Sequence, residues 1–439
     1  MRFYLLSLGC PKNTVESEGM RELLLAAGHE QTQEPQEADI LVVNTCGFID
    51  IAREESLEAL HELADSKRCD QYLIAAGCLA ERYGPEMSDM APSLDAIIGT
   101  TRWREIATLL DALAGDPDRG VPCQLPQTPP ERSLIHPLPR RCPDLGTAYV
   151  QISEGCDAPC AFCAIPQIKG PYCSKPRESI LTEVHELAEQ GVKEIIFIAQ
   201  DTTSYGIDWG EADALPSLID YVLAAVPDLP WLRLMYAYPQ HVSPRLIEVI
   251  TSHTQVVHYL DLPLQHAHPQ VLRLMNRPHD VDRVSSIIAD LRRAMPDIAL
   301  RTSFIVGYPG ETEREFQTLL DFMGAMSFDR VGIFTYSREK GTQAARLPRQ
   351  VPDEVKQERY ERTMALQQGI SLEKNKQFIG QRLEVLIEGT GDGVSVGRSY
   401  RDAPEVDGMV IIHEELPVNE FASVRITEAL EYDLVGHRE

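Results

Sequence analysis

What most constrains this 439-residue chain is an alternation of short apolar runs, each the length of one strand, with stretches whose apolar residues fall at helical spacing. In the central part, strand-like runs fall at 149–154, 195–200, 232–238, 256–262, 299–306 and 331–336. Between the first two, Ile180, Leu181, Val184, Leu187 and Ala188 trace one apolar stripe, and Gly191 supplies a left-handed stop. Six βα units in about 200 residues predict a partial or open βα barrel, whose working end is the carboxyl ends of its strands. A doubly wound sheet is the alternative.

The length exceeds what one core ordinarily organises, so boundaries are expected. Ahead of the central part, three buried-strand runs close on Gly9-Cys10, Thr45-Cys46 and Gly77-Cys78, with helical patterns at 17–27 and 51–63 between them. This predicts a first, parallel α/β domain over 1–114. The stretch 115–146 holds Pro117, Pro122, Pro126, Pro129, Pro130, Pro137, Pro139 and Pro143, a linker signature. The six-unit domain is then expected over 147–374. From 375 to 439, runs at 383–387, 394–398, 409–413 and 423–426 between Gly and Asp turns predict a small all-β barrel.

No run of about 18 apolar residues occurs, which argues against a membrane span. The opening apolar run is too short for a signal peptide and reads as a first strand, so a cytoplasmic location is expected. Asp plus Glu number 67 against 41 Lys plus Arg, a net charge of −26. That balance argues against unaided, phosphate-driven nucleic-acid binding and suits a basic partner. From residue 375 onward the count is 6 basic to 13 acidic, so the barrel lacks an RNA-binding footprint.

Ten cysteines in a chain of this length are no small disulfide scaffold, and their spacing points to metal or redox chemistry. Cys156, Cys160 and Cys163 stand at C-x3-C-x2-C directly after the first strand of the central domain. Three thiolates in one loop can hold three irons of a 4Fe–4S cube and leave the fourth open. A structural zinc site is the alternative; it would want a fourth ligand, for which Cys173 is the near candidate. Cys10, Cys46 and Cys78 form a second constellation, because parallel strands bring their carboxyl ends to one edge and helix amino termini bias thiols toward thiolate. Burial as small hydrophobes is the bland alternative. Cys69, Cys123 and Cys142 lack this context.

The Cys156–Cys163 loop at the head of six βα units resembles the radical S-adenosylmethionine (SAM) enzymes. The resemblance implies that SAM chelates the open iron and is cleaved to a 5′-deoxyadenosyl radical, which abstracts hydrogen from an unactivated carbon. Ser7-Leu8-Gly9-Cys10-Pro11-Lys12-Asn13, Asn44-Thr45-Cys46-Gly47-Phe48-Ile49 and Ala76-Gly77-Cys78 resemble the amino-terminal domain of the methylthiotransferases, and the final barrel resembles their TRAM domain. The likeness covers essentially the whole chain. It implies two 4Fe–4S clusters, with Cys10, Cys46 and Cys78 ligating a sulfur-handling one, and two SAM molecules, one giving a methyl and one the radical.

Within that family, one branch modifies adenosine in transfer RNA and another an aspartate β-carbon of a small-subunit ribosomal protein. Leu8-Gly9-Cys10-Pro11-Lys12-Asn13, Phe334-Thr335-Tyr336-Ser337 and the segment from Gly397-Arg398-Ser399-Tyr400 to Asp407-Gly408 resemble the second branch. The expected partners are therefore a basic ribosomal protein or the ribosomal subunit, and an electron donor. The RNA branch and a non-catalytic iron–sulfur carrier remain as alternatives. Cys173 departs from the family pattern, where a basic residue is expected.

At expected strand ends, Gln200, Gln265 and Arg301 are the candidate SAM contacts, against the alternative of solvated strand ends. Thr312 and Glu315 have capping-box spacing after Gly307-Tyr308-Pro309-Gly310-Glu311. His266 and His268 are assigned no metal, and no catalytic acid or base is assigned.

Overall fold

The structure, a computed structural model, describes residues 1–114, 123–124, 137–141 and 146–439. The chain divides into two compact units. One comprises Met1–Arg141, Tyr149–Asp157 and Cys163–Glu186; the other comprises Cys142–Ala148, Ala158–Phe162 and Leu187–Glu439. Most of the proline-rich stretch, with Cys142, lies outside the described residues.

The first unit is built on six strands: β1 (Arg2–Ser7), β2 (Glu30–Gln31), β3 (Ile40–Thr45), β4 (Tyr72–Gly77), β5 (Ala96–Gly99) and β6 (Cys123–Gln124), in the order β2-β1-β3-β4-β5-β6. Every pairing is parallel. The central strand β3 is buried along its whole length, which explains its unbroken apolar run. Helices Pro11–Ala26, Asp50–Ser66 and Cys78–Tyr83 follow β1, β3 and β4. The first begins six residues earlier than its apolar spacing suggested, because Pro11 occupies its first turn, where a missing N–H costs nothing. Residues 137–141 are packed rather than tethering: Leu138 is buried, and Arg140 pairs with Glu18 and Glu183.

The central sheet contains β7 (Thr147–Gln151), β10 (Glu194–Ile198), β11 (Trp231–Leu234), β12 (Val256–Asp261), β13 (Ala299–Val306) and β14 (Arg330–Thr335), in the order β14-β13-β12-β11-β10-β7. Sequential order with parallel pairing from β10 to β14 is the open βα arrangement, not the doubly wound one. Two short strands, β8 (Ser153–Glu154) and β9 (Cys173–Ser174), pair antiparallel beside the cysteine loop. Strands β10 and β11 end two and four residues earlier than their apolar runs, since the sheet gives way to loops at Gln200 and Tyr238.

The chain closes with a barrel of β15 (Arg382–Gly391), β16 (Val394–Ser399), β17 (Val410–Ile412), β18 (Phe421–Ala429) and β19 (Leu434–Arg438). Its core is Val385, Ile387, Val410, Ile412, Val424, Ile426 and Leu434. The barrel docks on the sheet through charges. On the sheet Arg233 donates to Glu194 Oε1 (2.6 Å); across to the barrel it donates to Tyr400 O (2.8 Å), Arg398 donates to Glu194 Oε2 (2.7 Å), and Arg330 to Asp402. Glu194 and Arg330 open their strands, so this contact lies at the amino edge of the sheet and leaves the carboxyl edge to other groups. No helix among the described residues is long and apolar enough to cross a membrane.

Candidate functional site

In the first unit, Cys10, Cys46 and Cys78 each follow the carboxyl end of a neighbouring strand. Gly9 adopts φ +97°, and a Cβ there would lie 2.8 Å from Cys46 Cβ, so only glycine lets the two cysteine loops meet. Gly77, at φ +92°, makes the same allowance before Cys78, where a Cβ would strike Asn44 Oδ1. Asn13 joins the three loops. Its amide nitrogen donates to Leu8 O (2.9 Å) and Thr45 O (3.1 Å), while its Oδ1 lies 3.8 Å from both Cys10 Sγ and Cys78 Sγ. Ser56 fixes Cys46, accepting from its N–H and donating to its carbonyl, both at 2.9 Å.

The helix-terminus argument for easy thiolates does not hold at two of these positions. Burial pushes the Cys46 thiol up, and it pushes Cys78 up strongly. A bound cation reverses that balance, since a coordinating thiol gives up its proton outright.

Of the C-x3-C-x2-C loop, Cys156 and Cys163 belong to the first unit. Cys156 donates its N–H to Gly170 O, and Cys163 Sγ accepts from Ile165 N–H (3.4 Å). Just beyond Cys163, Ala164 and Ile168 pack against Cys78, so the segment leaving one cysteine set touches a member of the other. Next to it, Lys169 is buried against Glu16, Thr100 and Glu154. Burial alone disfavours its charge, but the neighbouring carboxyls, Glu16 foremost and Glu154 with it, outweigh that and hold the ammonium protonated. Cys173 sits on β9 opposite Glu154.

Cys160 belongs to the second unit. Its loop is held by Ala161, whose N–H donates to Met275 O and whose carbonyl accepts from Ala344 N–H. Arg277 Nη1 lies 3.8 Å from Cys160 Sγ, with the guanidinium over the Tyr238 ring at 4.2 Å. Spacing could not reveal Lys169, Glu16 or Arg277, each of which meets its partner across more than a hundred residues.

The carboxyl edge of the central sheet carries several buried polar atoms with no hydrogen-bond partner among the described residues: both side-chain atoms of Gln200, Tyr336 Oη and His266 Nε2, the last lying 3.6 Å from Glu311 Oε2. Buried polar atoms of this kind call for a partner, which a polar ligand at this edge would supply. Gln265 follows β12 at φ +73°, a conformation unusual outside glycine. Arg301 is a correction. It is the third residue of β13, five positions short of the carboxyl end, and its guanidinium pairs with Asp261 (2.9 Å) and Asp407 of the barrel (3.3 Å). The run 299–306 matches the strand, in which Arg301 lies near the amino end, and its side chain pairs with the barrel.

His266 Nδ1 accepts from His268 N–H, and His268 in turn caps helix Pro269–Leu274. Thr312 and Glu315 form the expected capping box. Among the described residues, no three His, Cys, Asp or Glu side chains converge on a point for a single ion. A cube asks for a different arrangement, one thiolate to each of three irons.

Comparison with known proteins defines the class first. Residues 150–323 match the radical SAM superfamily, 379–438 the TRAM domain, and 2–99 an uncharacterized family, UPF0004. Radical SAM enzymes use SAM with a 4Fe–4S cluster, and the sulfur-only donor sets suit such clusters. The fold resembles that of TsrM from Kitasatospora setae, a radical SAM methyltransferase solved with cobalamin and a 4Fe–4S cluster (TM-score 0.59, 14% identity, 90% of this chain and 77% of that one).

Over nearly its full length the chain is 47% identical to the ribosomal protein uS12 methylthiotransferase RimO of Roseiflexus sp. (strain RS-1), covering 99% of this chain and 97% of the relative. It is 46% identical to that of Chloroflexus aurantiacus, covering 99% of each. The chain belongs to the RimO methylthiotransferase family, radical SAM transferases.

Proposed function

We propose that this enzyme methylthiolates the β-carbon of an aspartate in the small-subunit ribosomal protein uS12. The full-length likeness to relatives named for that substrate carries the reading. An acidic chain also suits a basic ribosomal partner by electrostatic steering. Of the barrel's six basic residues, Arg398 and Arg401 are buried in docking, and Arg382 and Arg425 pair with Glu439, so little is left for RNA.

Cys156, Cys160 and Cys163 would hold the radical-forming cluster, leaving one iron to SAM. Cys10, Cys46 and Cys78 would hold an auxiliary cluster that handles the sulfur. When bound, these groups and two SAM molecules supply one methyl, one sulfur and one hydrogen-abstracting radical, with electrons from an external donor. The chain's own residues orient and exclude water: Gln200 and Gln265 are the SAM contacts at the carboxyl edge, and Asn13 fixes the spacing of the auxiliary thiols. The functional division follows 1–114, 147–374 and 375–439.

The test is anaerobic incubation of the reconstituted full chain with SAM, a reductant and small ribosomal subunits, followed by mass analysis of ribosomal proteins and digested RNA. A methylthio gain on an aspartate of uS12 is expected. The same gain on adenosine would move the enzyme to the RNA branch, and cluster binding without 5′-deoxyadenosine would leave a carrier.

A further inference from the structure

Three residues past β10, at the carboxyl edge of the sheet, Asp201 is buried with both oxygens occupied. Oδ1 accepts from the Thr203 hydroxyl (2.7 Å) and Ser204 N–H (3.2 Å). Oδ2 accepts from the Ser204 hydroxyl (2.6 Å) and faces His241 Nδ1 at 3.2 Å. Hydrogen bonds from His241, Ser204 and Thr203 outweigh the burial that would raise the Asp201 pKa and hold this carboxyl below its usual range.

Ser204 Oγ also lies 3.0 Å from His241 Nδ1. Its own proton is committed to Asp201, so both neighbours of Nδ1 are acceptors. Nδ1 therefore carries a hydrogen, and Nε2 is the nitrogen left to act. Nε2 makes no hydrogen bond among the described residues, and the side chain is 36% exposed.

This cluster is linked to the radical site by packed groups. The His241 ring lies 5.2 Å from the Tyr238 ring, Arg277 covers Tyr238, and Arg277 reaches Cys160 Sγ. An imidazole backed by a carboxylate thus stands two side chains from a ligand of the radical-forming cluster, and nothing in the chemistry above uses it.

We propose that His241, held by Asp201 and Ser204, anchors the carboxylate of the substrate aspartate. This rests on the assignment of a protein aspartate as substrate. The reacting β-carbon is bonded to that carboxylate, so fixing the carboxylate fixes which hydrogen meets the radical. With Nδ1–H turned to Asp201, a second proton on Nε2 makes a charge-assisted donor for an incoming carboxylate. Arg277 does not compete for the role, since it donates to Pro263 O and faces Cys160. The charged groups around His241 are Asp201 directly and Arg277 beyond Tyr238.

The experiment compares wild type, His241→Ala and His241→Gln on purified uS12 and on uS12 with the target aspartate changed to asparagine. Expected is a rise in KM of roughly tenfold or more for aspartate-bearing uS12 in His241→Ala. The asparagine substitution, costly for wild type, should cost the variant little, because the two changes remove the same contact. Equal asparagine penalties in wild type and variants, or an unchanged KM, overturn the anchor. Loss confined to kcat, with KM for uS12 intact, also overturns it. Should His241→Ala fail to fold, His241→Gln carries the same comparison on aspartate-bearing and asparagine-bearing uS12. If wild type places no methylthio group on aspartate, the substrate assignment itself falls and takes the anchor with it; the wild-type lane tells the two failures apart.

Discussion

The ammonium of Lys169 is buried against the carboxylate of Glu16, joining the segment that follows Cys163 to the helix that follows Cys10. Thr100 donates to both oxygens of the same carboxylate at 2.9 Å, so the charge is satisfied on several sides. Removing one partner strands the other: Lys169→Met should destabilise by about 3–5 kcal/mol. The double variant Lys169→Met/Glu16→Gln should recover much of that in urea unfolding. A double variant as unstable as the single one would show that the pair is not what the site requires.

The two cysteine sets should separate in their effects. Cys78→Ala should remove about four of the roughly eight irons that two cubes hold, and abolish methylthio transfer while leaving SAM cleavage to 5′-deoxyadenosine. Cys160→Ala should lose a similar share of iron together with SAM cleavage. Iron analysis and product chromatography on the same preparations check both, and retention of full activity by either variant would contradict the assignment.

Arg277 places a cationic donor 3.8 Å from Cys160 Sγ. Hydrogen bonds and positive charge at a cluster's sulfur ligands favour the reduced, more negative state. Arg277→Leu should therefore shift the reduction potential of the radical-forming cluster to more negative values, read by potentiometric titration with electron paramagnetic resonance. An unchanged potential would remove the arginine from that role.

Glu194 is buried between Arg233 and Arg398. Burial by itself would raise its carboxyl, but the two guanidiniums outweigh this and hold it below the usual range. A depressed carboxyl contributes stability that is fully present above its unfolded value of about 4.3 and is lost as pH falls through the lower folded value. Stability of the unit should thus drop as pH falls below about 4, and Glu194→Gln should flatten that part of the curve. Calorimetry across pH 5 to 3 measures it; parallel curves for wild type and variant would refute the linkage.

Much of this architecture was legible in the chain itself, because buried parallel strands must be apolar throughout and β3 is six consecutive buried residues. The placing of Cys10, Cys46 and Cys78 at strand ends was legible for a related reason, while the close approach that requires Gly9 and Gly77 shows only in the fold. Strands β2, β5, β6 and β19 escaped notice, being two to five residues long and too short to show a period. Arg301 was misplaced although the run 299–306 matches β13, because its third position already set it at the amino end of the strand. Lys169 and Glu16 lie 153 residues apart, and Asp201 and His241 lie 40 apart, so only folding brings them together.

The barrel's attachment has a consequence for inheritance. Glu194 and Arg330 on the sheet answer Arg398 and Asp402 on the barrel, so a barrel carried over without these partners would leave buried charge unanswered. A graft cut at the sequence boundary near residue 375 would bring foreign side chains against buried, unanswered charge. A change on one side of such a seam is tolerated only with an answering change on the other, so the pairing of the two modules is written in ion pairs rather than in the reacting groups.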